Sequence, residues 1–330
     1  MNAPVTILIP NYNGEKLLTE CISAALGQTR PPATVLVVDD ASTDRSPALA
    51  AALGARVLAL PVNSGFAHAV NAGVAASRDQ WVAIVNSDVT LAPGWLAQLL
   101  DAASAADASF ACGPITRHDQ PAILDGAYDL LSRAACPWRA GSGFPVADLR
   151  PPGDFWLPSL TALLIRRDVF LSTGGLDETF GSYLEDVDLG LRLRRAGIAG
   201  VFVPSAFATH RGSATFGAWS PRATRLQSRN QMLLVARHYP DGWIRRFGRA
   251  VFAGQLLWGL LALRHGVFGA WFGGKLDALR LWHGVRRASP PRDPAWLAPH
   301  LAACERDIAR WQGARPRDSY WRWYFRLAGS

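Results

Sequence analysis

Four short apolar runs, at residues 5–9, 35–38, 57–60 and 81–85, alternate with alanine- and leucine-rich segments at 16–26, 46–53 and 67–76. Strand and helix patterns at this spacing leave few folds open, and the reading they support is an α/β, mostly parallel sheet flanked by helices. Ligands of such sheets bind beyond the carboxyl ends of the strands. Polar residues stand at those ends here: Asn11 after the first run, Asp39 and Asp40 after the second, Asn86-Ser87-Asp88 after the fourth. They are placed to converge.

A further acidic group lies in residues 183–197. Glu185, Asp186 and Asp188 open a segment with leucines at 189, 191 and 193, basic residues at 192, 194 and 195, and Gly197 as a stop. Acids suit the first turn of a helix, bases the last, and glycine the position after its end. Alone, the segment reads as a well-capped helix. Beside the strand-end carboxylates it reads as part of a site.

Between 112 and 157 the pattern weakens, and Pro, Gly and Arg become frequent. This predicts a long irregular insertion, a length associated with function. Periodicity returns at 160–165, and after a short apolar run at 201–204 comes Thr209-His210-Arg211-Gly212. Beyond 216 the strand patterns stop. Residues 227–238 read as a helix, and 251–263 form a nearly continuous apolar run. That run is well short of the ~20 residues that cross a bilayer. The implied division is an α/β domain over 1–215 and a helical extension over 216–330.

Charge follows this division. Residues 241–330 carry 15 Lys+Arg against 6 Asp+Glu, whereas the first 240 carry 19 against 20. Eight of the 13 tryptophans also fall in that last stretch. The apolar run is therefore a core helix or an interfacial one, and its Trp and Arg density favours a membrane interface. Cys21, Cys112, Cys136 and Cys304 are scattered, with no C-x-x-C pair. Neither a disulfide framework nor a structural zinc site is indicated, which fits a reducing compartment. The N-terminus has no basic stretch ahead of its apolar run and reads as a first strand. The expected location is cytoplasmic, peripheral on the inner face of the cell membrane.

Several chemistries lack their signatures. There is no G-x-G-x-x-G after the first strand, no G-x-x-x-x-G-K-[ST] and no G-x-S-x-G. No zinc-finger, RNP-like or basic-region pattern supports nucleic-acid binding. What remains is a set of carboxylates, asparagines and one histidine. Asp88 suits a divalent ion clamped to a diphosphate, since Mg²⁺ and Mn²⁺ favour oxygen ligands and use few carboxylates. It also suits a turn before Pro93-Gly94. Asp40 could instead cap the following helix, and His210 could be a surface or core residue.

These residues, in order, resemble the family 2 glycosyltransferases with the GT-A fold. The resemblance runs through Ile9-Pro-Asn-Tyr-Asn-Gly14, Val37-Val-Asp-Asp-Ala-Ser-Thr-Asp44, Asn63-Ser-Gly-Phe-Ala67 with Asn71-Ala-Gly73, and Val85-Asn-Ser-Asp-Val89. It continues in Gly174-Gly-Leu-Asp-Glu-Thr-Phe180, Tyr183-Leu-Glu-Asp-Val-Asp-Leu189 and His210-Arg-Gly-Ser213, covering roughly residues 4–240. Within the family it is most similar to the bacterial rhamnosyltransferase-like branch of cell-surface polysaccharide assembly. The resemblance implies a nucleotide-sugar pocket from Pro10, Asn11, Asp39, Asp40, Asn63, Gly65, Asn86 and Ser87, with Asp40 reading the base. It implies Asp88 as ligand of Mg²⁺ or Mn²⁺, His210 as a further metal or diphosphate contact, and Asp186 as catalytic base with Glu185 beside it. The donor would be dTDP-, UDP- or GDP-linked, the acceptor a glycan or lipid-linked glycan, and the transfer inverting. Asn86 stands where many relatives carry a first acid.

Two other readings compete. A nucleotidyltransferase also uses an α/β sheet and metal-binding acids, but calls for a glycine-rich, lysine-containing loop that residues 11–16 lack. A catalytically inactive glycan-binding module is the non-enzymatic option, opposed by Asp88, Asp186 and His210.

Overall fold

A computed structural model of the chain describes residues 3–212, 219–289, 292–314 and 318–329. Its strands are β1 (Val5–Asn11), β2 (Thr34–Asp39), β3 (Arg56–Ala59), β4 (Trp81–Val85), β5 (Val89–Leu91), β6 (Phe110–Cys112) and β7 (Ile115–Arg117). They continue as β8 (Leu124–Gly126), β9 (Asp129–Leu131), β10 (Pro137–Arg139), β11 (Ala162–Arg166), β12 (Gly200–Phe202) and β13 (Ala208–His210). The first helices are α1 (Leu18–Leu26), α2 (Ser46–Ala52), α3 (Phe66–Ala76), α4 (Trp95–Ala105), α5 (Arg167–Ser172) and α6 (Glu185–Arg195). The rest are α7 (Pro221–His238), α8 (Trp243–Arg264), α9 (Phe268–Ala288), α10 (Pro294–Gly313) and α11 (Ser319–Ala328).

The chain forms two units. The first comprises Met1–Tyr128, Gly141–Pro151 and Leu157–Gly212; the second comprises Asp129–Ala140, Pro152–Trp156 and Ser213–Ser330. The expected boundary at 215/216 lies outside the described residues, as does Ser213.

In the first unit a seven-stranded sheet runs in the order β12-β6-β11-β4-β1-β2-β3. Strands β3, β2, β1 and β4 are mutually parallel, and β11 inserts antiparallel between β4 and β6. Every residue of β1 and β4 is buried, as expected for strands covered on both faces. The pleat divides their side chains. Ile7, Ile9, Val35 and Val37 share a core with Leu18, Cys21 and Ile22 of α1 and Leu96 and Leu99 of α4. Leu8 and Val38, on the other face, lie under Gly73 of α3, where an added Cβ would come within 2.3 Å of Leu8. Gly73 thus sets how closely helix and sheet approach. Because β1 has β2 on one side and β4 on the other, the strand order reverses there. Its crevice opens beside Asn11, Asp39 and Asn86.

Residues 112–157 are not the irregular stretch expected. They hold β7, β8, β9 and β10, each three residues long and so too short to print a period on the sequence. Strands β7 and β8 join β5 and β13 in a second sheet of order β5-β13-β7-β8.

Among the described residues, the regular elements of the second unit are helices α7 to α11 and the β9–β10 hairpin. Its ties span long stretches of sequence: Glu305, on α10, accepts from the backbone N–H of Arg133 at 2.8 Å and its guanidinium at 2.7 Å. The Tyr324 hydroxyl donates to the same carboxylate at 2.5 Å. The tryptophans expected at a membrane are mostly spent on packing. Trp311 and Trp321 are buried, and the rings of Trp243 and Trp282 meet each other. Trp323 is the one exposed tryptophan among the described residues of 241–330. No helix of the described residues is long and apolar enough to cross a membrane.

Candidate active site

The strand ends meet through hydrogen bonds. Asn11, closing β1, donates its amide to Asp39 Oδ1 at 2.9 Å and to Ser42 Oγ at 3.2 Å. Asp39 Oδ2 accepts from the Ser42 N–H. Asp40 is not a helix cap, because α2 begins six residues later at Ser46. Its two carboxylate oxygens instead accept the backbone N–H groups of Ser64 and Gly65, each at 2.8 Å, while Asn63 donates to its carbonyl. Gly65 has φ +91° and precedes α3, a left-handed position that a side chain would strain. Asn11, Asp39, Asp40, Asn63 and Gly65 therefore form one connected rim, with Pro10 buried in β1 below it.

Asn71-Ala-Gly73 has a second task. Asn71 donates to the Leu176 carbonyl and to Glu178, and accepts from the Leu176 N–H. It thereby fixes the loop leading to α6. The Ala67 N–H donates to the Gly181 carbonyl, so the start of α3 touches the same loop. At its end Tyr183 and Leu184 both adopt positive φ, +70° and +68°, and the helix starts at Glu185 with no side-chain cap. Two consecutive left-handed non-glycine residues are costly and persist only where surroundings enforce them.

Within the first turn of α6 the three acids part company. Asp188 is fully buried and paired with Arg192 at 2.9 Å, whose guanidinium also donates to the carbonyls of Thr173 and Gly175. Glu185 is buried as well; Asp186 alone is partly open to solvent. Arg192→Met removes the paired cation from the buried Asp188, so urea unfolding should show a loss of about 3–5 kcal/mol. Adding Asp188→Leu should recover much of that loss. An unchanged midpoint in the single variant would show that this pair does not hold the loop.

The second sheet assembles the remaining cluster. Strand β13 pairs with β5 so that His210 lies opposite Val89, one residue past Asp88. His210 Nε2 is 3.2 Å from Asp88 Oδ2, and its Nδ1 is 2.9 Å from Asp125 Oδ2 on β8. Burial by itself would lower the imidazole pKa, but hydrogen bonds to Asp125 and Asp88 and their charges raise it to about 9. Asp125 was not foreseen. It lies in the stretch read as irregular, and only the pairing of β7 with β8 brings it to His210.

Adjacent ligands of an ion held at about 2.0–2.2 Å lie roughly 3 Å apart, which the Asp88–His210 spacing satisfies. Two residues before Asp88 in the chain, Asn86 Oδ1 is buried with no hydrogen-bond partner among the described residues, a neutral oxygen of the kind a hard cation takes. Ser87, between them, is partly buried. No three His, Cys, Asp or Glu residues among those described form a metal cage. An ion shared between one or two side chains and substrate phosphates requires none. The residues fit.

Residues 6–172 match Glycosyl transferase family 2. The chain belongs to this family. A sugar-nucleotide-dependent glycosyltransferase replaces the nucleotidyltransferase and inactive-module readings. Among its relatives is the N-acetylglucosaminyl-diphospho-decaprenol L-rhamnosyltransferase of Mycobacterium tuberculosis, 33% identical over 69% of this chain and 82% of that protein. The pre-mycofactocin glycosyltransferase of the same organism is 30% identical over 66% of this chain and 45% of its own length. Among solved structures, GalNAc-T7 with UDP, GalNAc and Mn²⁺ superposes with a TM-score of 0.63 at 14% identity, covering 96% of this chain and 59% of that one. The mannosyltransferase PcManGT from Pyrobaculum calidifontis, in complex with GDP-Man and Mn²⁺, gives 0.54 at 14%, covering 93% and 86%. Such likeness bears on the fold, and the GT-A architecture expected from the sequence is the one present.

Proposed function

We propose that this family 2 glycosyltransferase moves a sugar of rhamnosyl type from a nucleotide-diphosphate donor to a hydroxyl of a lipid-linked glycan, with inversion, in bacterial cell-surface polysaccharide assembly. The single observation that carries the inverting mechanism is the sorting of the α6 acids, in which Asp188 is buried against Arg192, Glu185 is buried, and Asp186 is partly open to solvent. The activity of the mycobacterial relative supports the sugar and the acceptor class.

In this reading the rim of Asn11, Asp39, Asp40, Asn63 and Gly65 receives the nucleoside, with Asn86 and Ser87 beside the sugar diphosphate. Asp88 and His210 would hold Mg²⁺ or Mn²⁺, which supplies charge neutralisation to the departing diphosphate. Only the neutral ring coordinates, so metal binding at His210 would be accompanied by loss of its second proton. The acceptor oxygen attacks the anomeric carbon from the face opposite the nucleotide. Its bond to carbon forms as the bond to the diphosphate oxygen breaks, and the electron pair leaves with the nucleoside diphosphate. Asp186 takes the acceptor proton.

Incubation with dTDP-, UDP- and GDP-linked sugars and an N-acetylglucosaminyl-diphospho-lipid acceptor tests the whole reading. NMR of the product should show an anomeric configuration opposite to that of the donor; retention would overturn the assignment of Asp186. Asp125→Asn tests the hold on His210. Loss of the partner that orients a metal-binding histidine costs about 10–100-fold in metal affinity. Manganese titration followed by electron paramagnetic resonance should show that shift, and an unaltered isotherm would leave Asp125 as a purely structural residue.

A further inference from the structure

Helices α8 and α9 are joined by residues 265–267 and run antiparallel, with Gly259 against the ring of Trp271 and Gln255 bonded to Lys275 one turn further along. On α8, Phe252, Leu256, Leu260 and Leu263 are exposed at spacings of four, four and three, which places them on one stripe. On α9, Phe268, Phe272, Leu276 and Leu279 repeat that spacing and are also exposed. Exposure runs from 41% at Leu276 to 71% at Phe252, far above what core-facing stripes show. In each helix the stripe begins beside the residues that meet the other helix. Antiparallel pairing therefore brings the two stripes onto one face, next to each other. Contiguous apolar surface of this kind marks an interaction site.

The charge around this face selects the partner. Residues 243–288 contain eight basic residues and the single acid Asp277. Lys275 is partly buried and bonded to Gln255 of α8, and Arg286 pairs with Asp241, while Arg245, Arg246, Arg249, Arg264 and Arg287 are exposed. Asp277 is already paired with Arg225 and Arg280. Arg245, Arg264 and Arg287 are exposed at the ends of the stripes. We infer that the α8–α9 face docks on an anionic phospholipid surface, its leucines and phenylalanines entering the headgroup zone and its arginines pairing with lipid phosphates. The inference rests on the lipid-linked acceptor reading only for its purpose; the surface itself stands on exposure and charge. It also replaces the tryptophans as the contact, since they are spent on packing.

The second unit includes residues 129–140 and 152–156, so deleting helices would unmake it. The test therefore uses full-length protein with exposed positions changed. Wild type should float with phosphatidylglycerol-containing vesicles, float poorly with phosphatidylcholine alone, and be released by high salt. Arg245→Gln, Arg264→Gln and Arg287→Gln together should weaken partitioning by roughly fivefold per arginine. Phe252→Glu with Leu260→Glu and Phe272→Glu should abolish flotation while circular dichroism and transfer to a short-chain, water-soluble acceptor stay at wild-type levels. Equal flotation of wild type and the glutamate variant would overturn the proposal. So would a folded wild type that ignores anionic vesicles, or one that forms a dimer the same substitutions dissociate. Failure of transfer to the soluble acceptor in wild type would count against the proposed function and leave the flotation result standing.

Discussion

Asp186→Asn is expected to retain the fold and donor affinity and to lose about 10²–10⁴-fold in turnover, the range that general-base catalysis supplies. The amide is isosteric, and its oxygen can still accept the Val187 N–H that Asp186 Oδ1 accepts in the native chain. Steady-state kinetics on purified variant, with donor affinity from calorimetry, separates the two effects. If turnover survives, the base lies elsewhere and Glu185 is the next residue to change. Loss of donor affinity in step with turnover would instead mean that Asp186 contacts the nucleotide.

Asp88→Ala should cost about 10²–10³-fold in kcat/KM, equivalent to the several kcal/mol that a bound divalent ion provides by stabilising negative charge. The decisive comparison is with chelator. Wild type should fall steeply in EDTA and recover with Mn²⁺ or Mg²⁺, whereas the variant should be equally slow in all three conditions. Should EDTA leave wild type untouched, Asp88 and His210 form a salt bridge with no metal to hold. Leaving-group charge would then fall to arginine side chains or backbone N–H groups.

The sheet was readable because its strands are buried on both faces, and continuous apolar runs such as 81–85 survive inspection without any partner. The strand-end residues followed from the same logic. Long-range pairings were not readable. Nothing near Asp40 announces that its oxygens hold the loop at Ser64 and Gly65, and Asp125 acquires meaning only through a three-residue strand. The acids of α6 could be placed in a first turn, but not sorted. Their difference arises from Arg192 one turn on, which reaches Asp188 and two carbonyls of the preceding loop. The tryptophans could not be sorted for a related reason: an aromatic ring looks the same in sequence whether it faces a neighbour or a bilayer.

The tie between Arg133 and Glu305 has a bearing on how the protein is made. The two residues are 172 positions apart, and Glu305 is the buried carboxylate that receives both Arg133 groups. A ribosome adding about 5–20 residues each second needs on the order of ten seconds or more to supply the second after the first. Through that interval the β9–β10 segment is already synthesised and lacks α10, the helix whose carboxylate receives Arg133. A prematurely terminated chain would leave it so permanently, a natural target for quality control.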